Sequence, residues 1–413
     1  MKNKKIIILG GGIGGIVAAN KLRHSLSSDV KITLIERNKM HSFAASYLWV
    51  MVGLRKPEKI SIPLSKLVHK GVDIVFSEVK HIDTGRKTIQ TDAVNFEYDY
   101  LIISLGAELD KKYLESYKYG IHNFYTYEGA KNLYNELKKI NSGQIVIAVE
   151  SLPYKCPGAP YEAAMLISDY IKKQGLEAKV KISLYTPEPQ PLPVTGSELG
   201  KSVAVLLEQK GIKFYPLHQL SEIRTEKKEF VFNSGKIISY DLLVVIPKHL
   251  PPAVLNNSGL TDDSGWIPVD KNTLITKVEN VFALGDVTSI AIPGRWHPDK
   301  PMKLPKAGVF AHSQALTVSE IIASKIEGKE SRASFCGDGF CMLEAGDDFA
   351  GFAYGDFFAS PHPDVKMKKL GKVWHLGKVF FEKWWLAPIG FTKSIYRYIL
   401  TLGGKLFGIP IKL

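Results

Sequence analysis

Residues 149–165 read VESLPYKCPGAPYEAAM, and the group there with chemical reach is the thiol of Cys156. A strand-like run, QIVIAVE, leads into the stretch and a helix-like run, YEAAMLISDYIKK, leads out of it. Between a parallel strand and a helix, a nucleotide-binding fold carries a glycine-rich loop whose backbone cradles phosphate. Here only Gly158 is available, and Pro157 and Pro160 remove two of the N–H donors that a pyrophosphate would use. The following strand ends LYTPE, with no acid at the usual ribose position. The loop therefore disfavours a nicotinamide dinucleotide and presents a thiol in its place. An isolated cysteine is by default a small buried hydrophobe. One that sits in a surface-type loop, where a cofactor loop belongs, reads instead as redox-active. A helix beginning near Pro160 would aim a positive dipole end at Cys156 and favour its thiolate. Glu162, in that first turn, reads either as a proton carrier for the thiol or as an ordinary helix-start carboxylate.

The other thiols are Cys336 and Cys341, in FCGDGFCMLEAG. Three cysteines are too few for a disulfide framework, and none forms a C-x-x-C pair. The histidines lack any H-x-H or H-E-x-x-H spacing, so no metal site is expected.

A second chemical element opens the chain. Gly10, Gly12 and Gly15 form G-x-G-x-x-G between the strand KKIIILG and a helix, and Glu36 ends the next strand, VKITLIE. The glycines permit a tight turn, let the backbone approach a pyrophosphate and allow close helix–strand packing. Glu36 stands where a carboxylate accepts hydrogen bonds from the two hydroxyls of an adenosine ribose. The segment NVFALGDV resembles the second flavin fingerprint of flavoproteins with two dinucleotide-type domains, which assigns Asp286 to the ribityl chain of FAD. The strand FEYDYLIISLGAEL, carrying Gly106, and SYDLLVVIP fit the same superfamily.

The segments KCPGAPYEAA, LPVTGSELGKSV, GWIPVD, FALGDV, LPKAGVFAHSQA and FCGDGFCMLEAG resemble the sulfide:quinone oxidoreductase and flavocytochrome c sulfide dehydrogenase flavoproteins, over residues 5–390. The resemblance implies that Cys156 and Cys341 meet beside the flavin and cycle between disulfide and thiolate. Hydrosulfide, a small soft nucleophile, would attack the disulfide to leave a persulfide and a thiolate. The product would be sulfur or polysulfide. Cys336 reads as a core thiol or as a third sulfur on a polysulfide track. Lys306, in LPKAG at the start of the helix after Asp286, would stabilise negative charge on a reduced flavin; without the resemblance it reads as a solvated lysine. Where relatives attach FAD through a cysteine, HSFAASYLW and GIHNFYTYEG contain none, so the FAD is expected to be non-covalent.

These elements imply an α/β fold: two Rossmann-like domains of the FAD/NAD(P)-binding type and a C-terminal α+β module with amphipathic membrane-docking helices. The expected division is an FAD-binding domain in two parts (1–110 and 266–330), a second Rossmann-like domain carrying the Cys156 loop (111–265), and a C-terminal redox-cysteine, quinone and docking region (331–413).

The net charge of +13 is concentrated in the tail, where residues 366–413 hold ten Lys/Arg and one acid. Because the tail is also rich in Trp, Phe, Tyr, Ile and Leu, an anionic lipid surface fits it better than nucleic acid, which is not expected as a partner. In FTKSIYRYILTL, Phe391, Ile395, Tyr398 and Leu402 share one helical face, with Lys393, Arg397 and Thr401 opposite. Gly403 and Gly404 then separate this helix from KLFGIPIKL. Trp384 and Trp385 suit a bilayer interface. A membrane quinone would enter there, with Phe357, Phe381 or Trp385 as ring contacts. The same features also suit an intramolecular packing helix or a homo-oligomeric contact, but basic residues and aromatics coinciding favour the membrane. MKNKKIIILGGG has too short an apolar run for a signal peptide, and no run approaches the roughly 18 apolar residues of a spanning helix. The expected location is peripheral on the cell membrane, on its cytoplasmic face. Two other activities compete: a single-chain (type II) NADH:quinone dehydrogenase, against which the Cys156 loop argues, and a flavoprotein electron-transfer subunit docking a cytochrome.

Overall fold

The computed structural model describes residues 3–295 and 301–409. The runs Lys5–Leu9, Lys31–Glu36 and Tyr100–Ile103 are apolar through both faces, as strands of a helix-covered parallel sheet must be. They lie in a five-stranded parallel sheet in the order Val281–Ala283, Tyr100–Ile103, Lys5–Leu9, Lys31–Glu36, Asp73–Phe76. The edge strand Val281–Ala283 is contributed after the chain has left and built a second sheet. That sheet is also five-stranded and parallel, ordered Ile121–His122, Leu242–Ile246, Gly143–Val149, Val180–Tyr185, Ile212–Tyr215. A three-stranded antiparallel sheet, Asp338–Gly346, Phe349–Asp356 and Asp364–Gly371, and two helices, Lys372–Leu386 and Phe391–Phe407, complete the expected α+β module.

Two elements depart from the sequence reading. The run 96–109 is not one strand: Tyr98 N–H donates to Lys87 O and Asp99 N–H to Lys5 O, so the chain crosses there from a small meander into the first sheet. The tail helix runs through Gly403 and Gly404 to Phe407 and stops at Gly408, whose φ of +65° is the left-handed cap. Two interior glycines cost about 1 kcal/mol each relative to alanine, which weakens a helix without ending it. Residues 410–413 of KLFGIPIKL lie outside the described residues.

Helix Ile13–Ser25 and helix Gly308–Glu327 lie against each other so closely that a Cβ on Gly308 would come within 2.4 Å of Ile13 Cδ1. Their N-termini open on one cavity of about 660 Å³, a volume typical of cofactor sites.

Candidate active site

The glycines of the first motif divide their labour. A Cβ on Gly15 would fall 1.8 Å from Gly10 O, and one on Gly10 (φ +96°) 2.4 Å from Ser104 O, so both exist for backbone packing. Gly12 has open space where a Cβ would stand and lines the cavity. It caps helix Ile13–Ser25 without any side-chain hydrogen bond, which leaves the first-turn N–H groups for an anion. Glu36 accepts from Gly11 N–H (2.7 Å) through Oε2, and from Asn38 N–H (2.8 Å) and Nδ2 (2.9 Å) through Oε1. Each carboxylate oxygen can accept more than one bond. Glu36 lies beyond the cavity's walls, whereas Gly106, Asp286 and Lys306 line it. Gly106 (φ +70°) has open space at its missing Cβ. This cradle fits a flavin dinucleotide.

Burial pushes the Asp286 carboxyl upward, opposed by the ammonium groups of Lys155 and Lys306. Lys306 precedes its helix by two residues and is buried rather than solvated. Its Nζ donates to Asp286 O (2.5 Å) and Thr288 O (3.2 Å), and lies 3.4 Å from the Trp266 ring centroid. Burial lowers its pKa to about 8. Lys155, within the cysteine loop, acts on Asp286 as well, and its sequence context carries no signal of that placement.

The loop and the hairpin bring the two candidate cysteines to the same cavity. Cys156 adopts φ +55°, a left-handed conformation that costs a non-glycine residue about 1–3 kcal/mol. The surroundings hold it there: Cys156 N–H donates to Lys306 O (2.7 Å), Ala159 N–H to Cys156 O (2.9 Å), and Tyr125 O–H to Lys155 O (3.0 Å). Cys341 pairs with Ala353 in the hairpin Asp338–Gly346/Phe349–Asp356 and is exposed, but onto the cavity. Gly158 is the spacer between the two segments. A Cβ there would meet Leu343 Cδ1 at 2.9 Å, Glu162 Oε2 at 3.5 Å and Cys341 Sγ at 3.9 Å. Cys336 is exposed, donates to Ser334 O (3.6 Å) and does not line the cavity.

Helix Ala159–Lys173 carries Glu162 into the protein interior, where it is 1% exposed. Its Oε1 accepts from Lys378 Nζ (2.5 Å) and from Glu344 N–H (2.9 Å), and Lys378 also donates to Met342 O (3.0 Å). Desolvation works against the Lys378 charge, but Glu162, Glu344 and Cys341 together raise its pKa, so the ammonium is retained. The expectation of a thiolate-favouring helix end is corrected here. Burial first, then the Glu162 carboxylate, pushes the Cys156 thiol well up; Lys378 and Ala159 N–H only partly offset this. Burial and Glu162 likewise push Cys341 to about 12. A dipole end worth 0.3–1 kcal/mol does not outweigh desolvation together with an adjacent anion.

The end of strand Val180–Tyr185 explains why this loop is not a phosphate cradle. Glu188 turns inward, 4% exposed, and its Oε2 accepts from Tyr154 O–H (2.9 Å), Tyr161 O–H (2.6 Å) and Thr186 Oγ1 (3.1 Å). Tyr154 belongs to the Cys156 loop and Tyr161 to the helix after it. The acid nearest the ribose position is thus spent tying the cysteine loop to the second sheet.

Phe357, Phe381 and Trp385 all line the cavity. Phe381 packs on Phe340 and Trp384, and Phe357 on Phe310, at centroid distances of 6.2, 5.3 and 5.0 Å. Trp385 Nε1–H donates to His41 Nε2 (2.8 Å), while His41 Nδ1 donates to Gly11 O (3.1 Å), which joins the tail to the glycine turn. Lys393 is not on a solvated face. Its Nζ donates to the carbonyls of Trp384, Trp385 (both 3.0 Å) and Ala387 (3.2 Å), capping helix Lys372–Leu386, and burial lowers its pKa to about 8.

The sequence profile of the pyridine nucleotide-disulphide oxidoreductase family matches residues 4–315. A mitochondrial sulfide:quinone oxidoreductase of Dictyostelium discoideum is 30% identical over 69% of this chain and 66% of its own length. The sulfide-quinone reductase of Aquifex aeolicus is 27% identical over 94% of this chain and 91% of its own. The crystal structure of the sulfide:quinone oxidoreductase from Aquifex aeolicus superposes with a TM-score of 0.84 at 25% identity, covering 99% of this chain and 96% of that one. A type II NADH:quinone oxidoreductase of Staphylococcus saprophyticus is 25% identical over 85% of this chain and 90% of its own. The chain belongs to the pyridine nucleotide-disulphide oxidoreductase family, as a flavoprotein whose cofactor is FAD.

Proposed function

We propose that this chain oxidises sulfide at the Cys156/Cys341 pair and delivers two electrons to a membrane quinone. One observation carries the reading: a strained cysteine loop stands where a second dinucleotide would bind, in one cavity with a second cysteine and beside a buried Glu162–Lys378 pair that acts on both thiols. In the oxidised state the two cysteines are a disulfide. Hydrosulfide forms a bond to one sulfur, the Cys–Cys bond breaks, and a persulfide and a thiolate result. Lys378 stabilises the negative charge that appears on the released sulfur, since its ammonium favours both thiolates. Glu162, in contact range of both segments, takes the proton of the incoming hydrosulfide. FAD supplies the two-electron carrier between cysteines and quinone. Gly12, Glu36, Gly106, Asp286 and Lys306 would hold it. A second round of attack releases sulfur or polysulfide.

The quinone would reach the cavity from lipid, past Phe381 and Trp385. Helix Phe391–Phe407 buries only Leu400 and Gly404 and leaves Phe391 (82%), Leu406 (75%) and Tyr398 (69%) exposed. Large apolar side chains exposed together on a basic helix suit an anionic bilayer surface. Among the described residues no helix is long and apolar enough to cross a membrane. The four-segment division at 110, 265 and 330 is part of this proposal.

NADH oxidation is the competing activity, favoured by the similarity to type II NADH:quinone oxidoreductases. The engagement of Glu188 by Tyr154 and Tyr161 weighs against it. The test is anaerobic: sulfide or NADH is added to the flavoprotein and the flavin spectrum is recorded. Bleaching by sulfide and recovery with a short-chain quinone is expected. Bleaching by NADH alone would replace this reading with the second.

A further inference from the structure

The mechanism above leaves a line of acid–base groups unused. Glu344 is 1% exposed; its Oε2 is hydrogen-bonded to His375 Nδ1 (2.9 Å), and its Oε1 is buried without a partner among the described residues. On its other side, His375 Nε2 lies 3.7 Å from Asp348 Oδ1, whose side chain is 66% exposed. Asp348, Lys372, His375 and Leu376 line a shallow depression in the outer surface. At the inner end, Glu344 N–H donates to Glu162, and Lys378 stands one helical turn beyond His375 with its charge sustained by both Glu162 and Glu344. Burying a carboxylate with an unsatisfied oxygen is costly.

We propose that Glu344, His375 and Asp348 carry the proton of sulfide oxidation from Glu162 and Lys378 to solvent. The inference rests on the sulfide reading. Per sulfur, HS⁻ becomes sulfane sulfur, one proton and two electrons; the electrons pass through the flavin to the quinone, which takes up two protons of its own as it becomes quinol, and the sulfide proton arrives at Glu162. It passes by way of Lys378, whose ammonium swings off Met342 O to reach the open Oε1 of Glu344. In the Nε2–H tautomer His375 accepts it from Glu344 at Nδ1 and releases the Nε2 proton beside Asp348. Other groups facing His375 are the Trp49 ring edge (5.9 Å) and, on its own helix, Lys372 and Lys378. Beyond Asp348 lie Asp347, Asp169 and Lys173, and beyond Trp49 lies Arg55, paired with Glu382. None of these bridges His375 to solvent as Asp348 does.

The test uses the FAD-loaded protein in weakly buffered anaerobic medium with a pH-indicator dye. Sulfide is mixed in, and flavin bleaching and the dye signal are followed together; the bleached flavin itself takes up one proton, so release through the relay is read as the dye's transient ahead of that uptake. His375→Asn keeps a donor toward Glu344 Oε2 and removes the ring nitrogen facing Asp348. It should slow proton release about tenfold, below the roughly 10²–10⁴ of a direct acid–base group because water partly substitutes. Free imidazole, which fits the open depression, should restore the rate of a His375→Ala variant in proportion to its concentration. Asp348→Asn, at an exposed position that folding tolerates, should slow release less. Proton release in His375→Asn at the wild-type rate, or a loss that imidazole does not restore, would overturn the relay while leaving sulfide bleaching of the wild type intact. A wild type that sulfide fails to bleach would overturn the functional reading and the relay with it.

Discussion

Replacing Lys378 with methionine keeps most of the side-chain stem and removes the charge from a site only 8% exposed. Glu162 would then retain a single donor, Glu344 N–H, for a carboxylate that is 1% exposed. Removing one partner of a buried ion pair costs about 3–5 kcal/mol, chiefly because the other charge is stranded. At about 2 °C per kcal/mol for a large domain, the apparent Tm should fall by roughly 6–10 °C. The folded pKa of Lys378 is raised above its ordinary 10.5, so its stabilisation is fully present below pH 10.5 and lost only above that. The loss should therefore be the same at pH 7 and pH 9. Glu162→Gln alone strands the ammonium and should cost a similar amount. The double variant removes both charges together, and should recover to within about 2 kcal/mol of the wild type. The assay is thermal unfolding of the four proteins, FAD-loaded, at both pH values. A double variant that falls by the sum of the two singles would refute the pairing.

Three further outcomes follow from the same contacts. Cys156→Ser should bind FAD normally yet show no bleaching by sulfide, checked by absorbance titration; turnover in that variant would exclude the cysteine from the chemistry. Gly158→Ala puts a methyl 2.9 Å from Leu343 Cδ1 and toward Cys341 Sγ, and should cost about 1–3 kcal/mol and slow sulfide bleaching, read by Tm and stopped-flow. His249 is 3% exposed and its pKa is lowered to about 3 by burial and then by Lys155. Its neutral form is favoured in the fold, so stability should be lost as pH falls below 6.5, by up to about 4–5 kcal/mol near pH 3 at 1.36 kcal/mol per pKa unit; His249→Phe should flatten that acid limb in pH-dependent denaturation.

What the sequence made legible was local. The Gly10–Gly15 turn and Glu36 lie within one strand–helix–strand unit, where spacing dictates position, and the cavity forms around that turn. The Cys156 loop announced itself by what it lacked, the glycines of a phosphate loop. Lys378 was invisible because a lysine in a basic, amphipathic tail reads as solvated, and only the packing of helix Lys372–Leu386 on the redox hairpin buries it against Glu162. Lys393 misled for the same reason, its ammonium capping a helix end. Glu188 stood in plain view in LYTPE, but its capture by two tyrosines from the preceding loop and helix is a tertiary fact. The direction of the Cys156 pKa is not legible in the sequence, because a dipole can be read from a helix start whereas burial cannot.

The central claim, that sulfide is oxidised on the Cys156/Cys341 pair, is tested most directly by mass. The oxidised protein would be mixed anaerobically with sulfide, quenched with an alkylating reagent once the flavin bleaches, and digested without reductant. An added sulfur atom on the peptide of Cys156 or Cys341, and none on that of Cys336, is the predicted result. Bleached flavin with all three cysteines carrying only the alkyl group would contradict it.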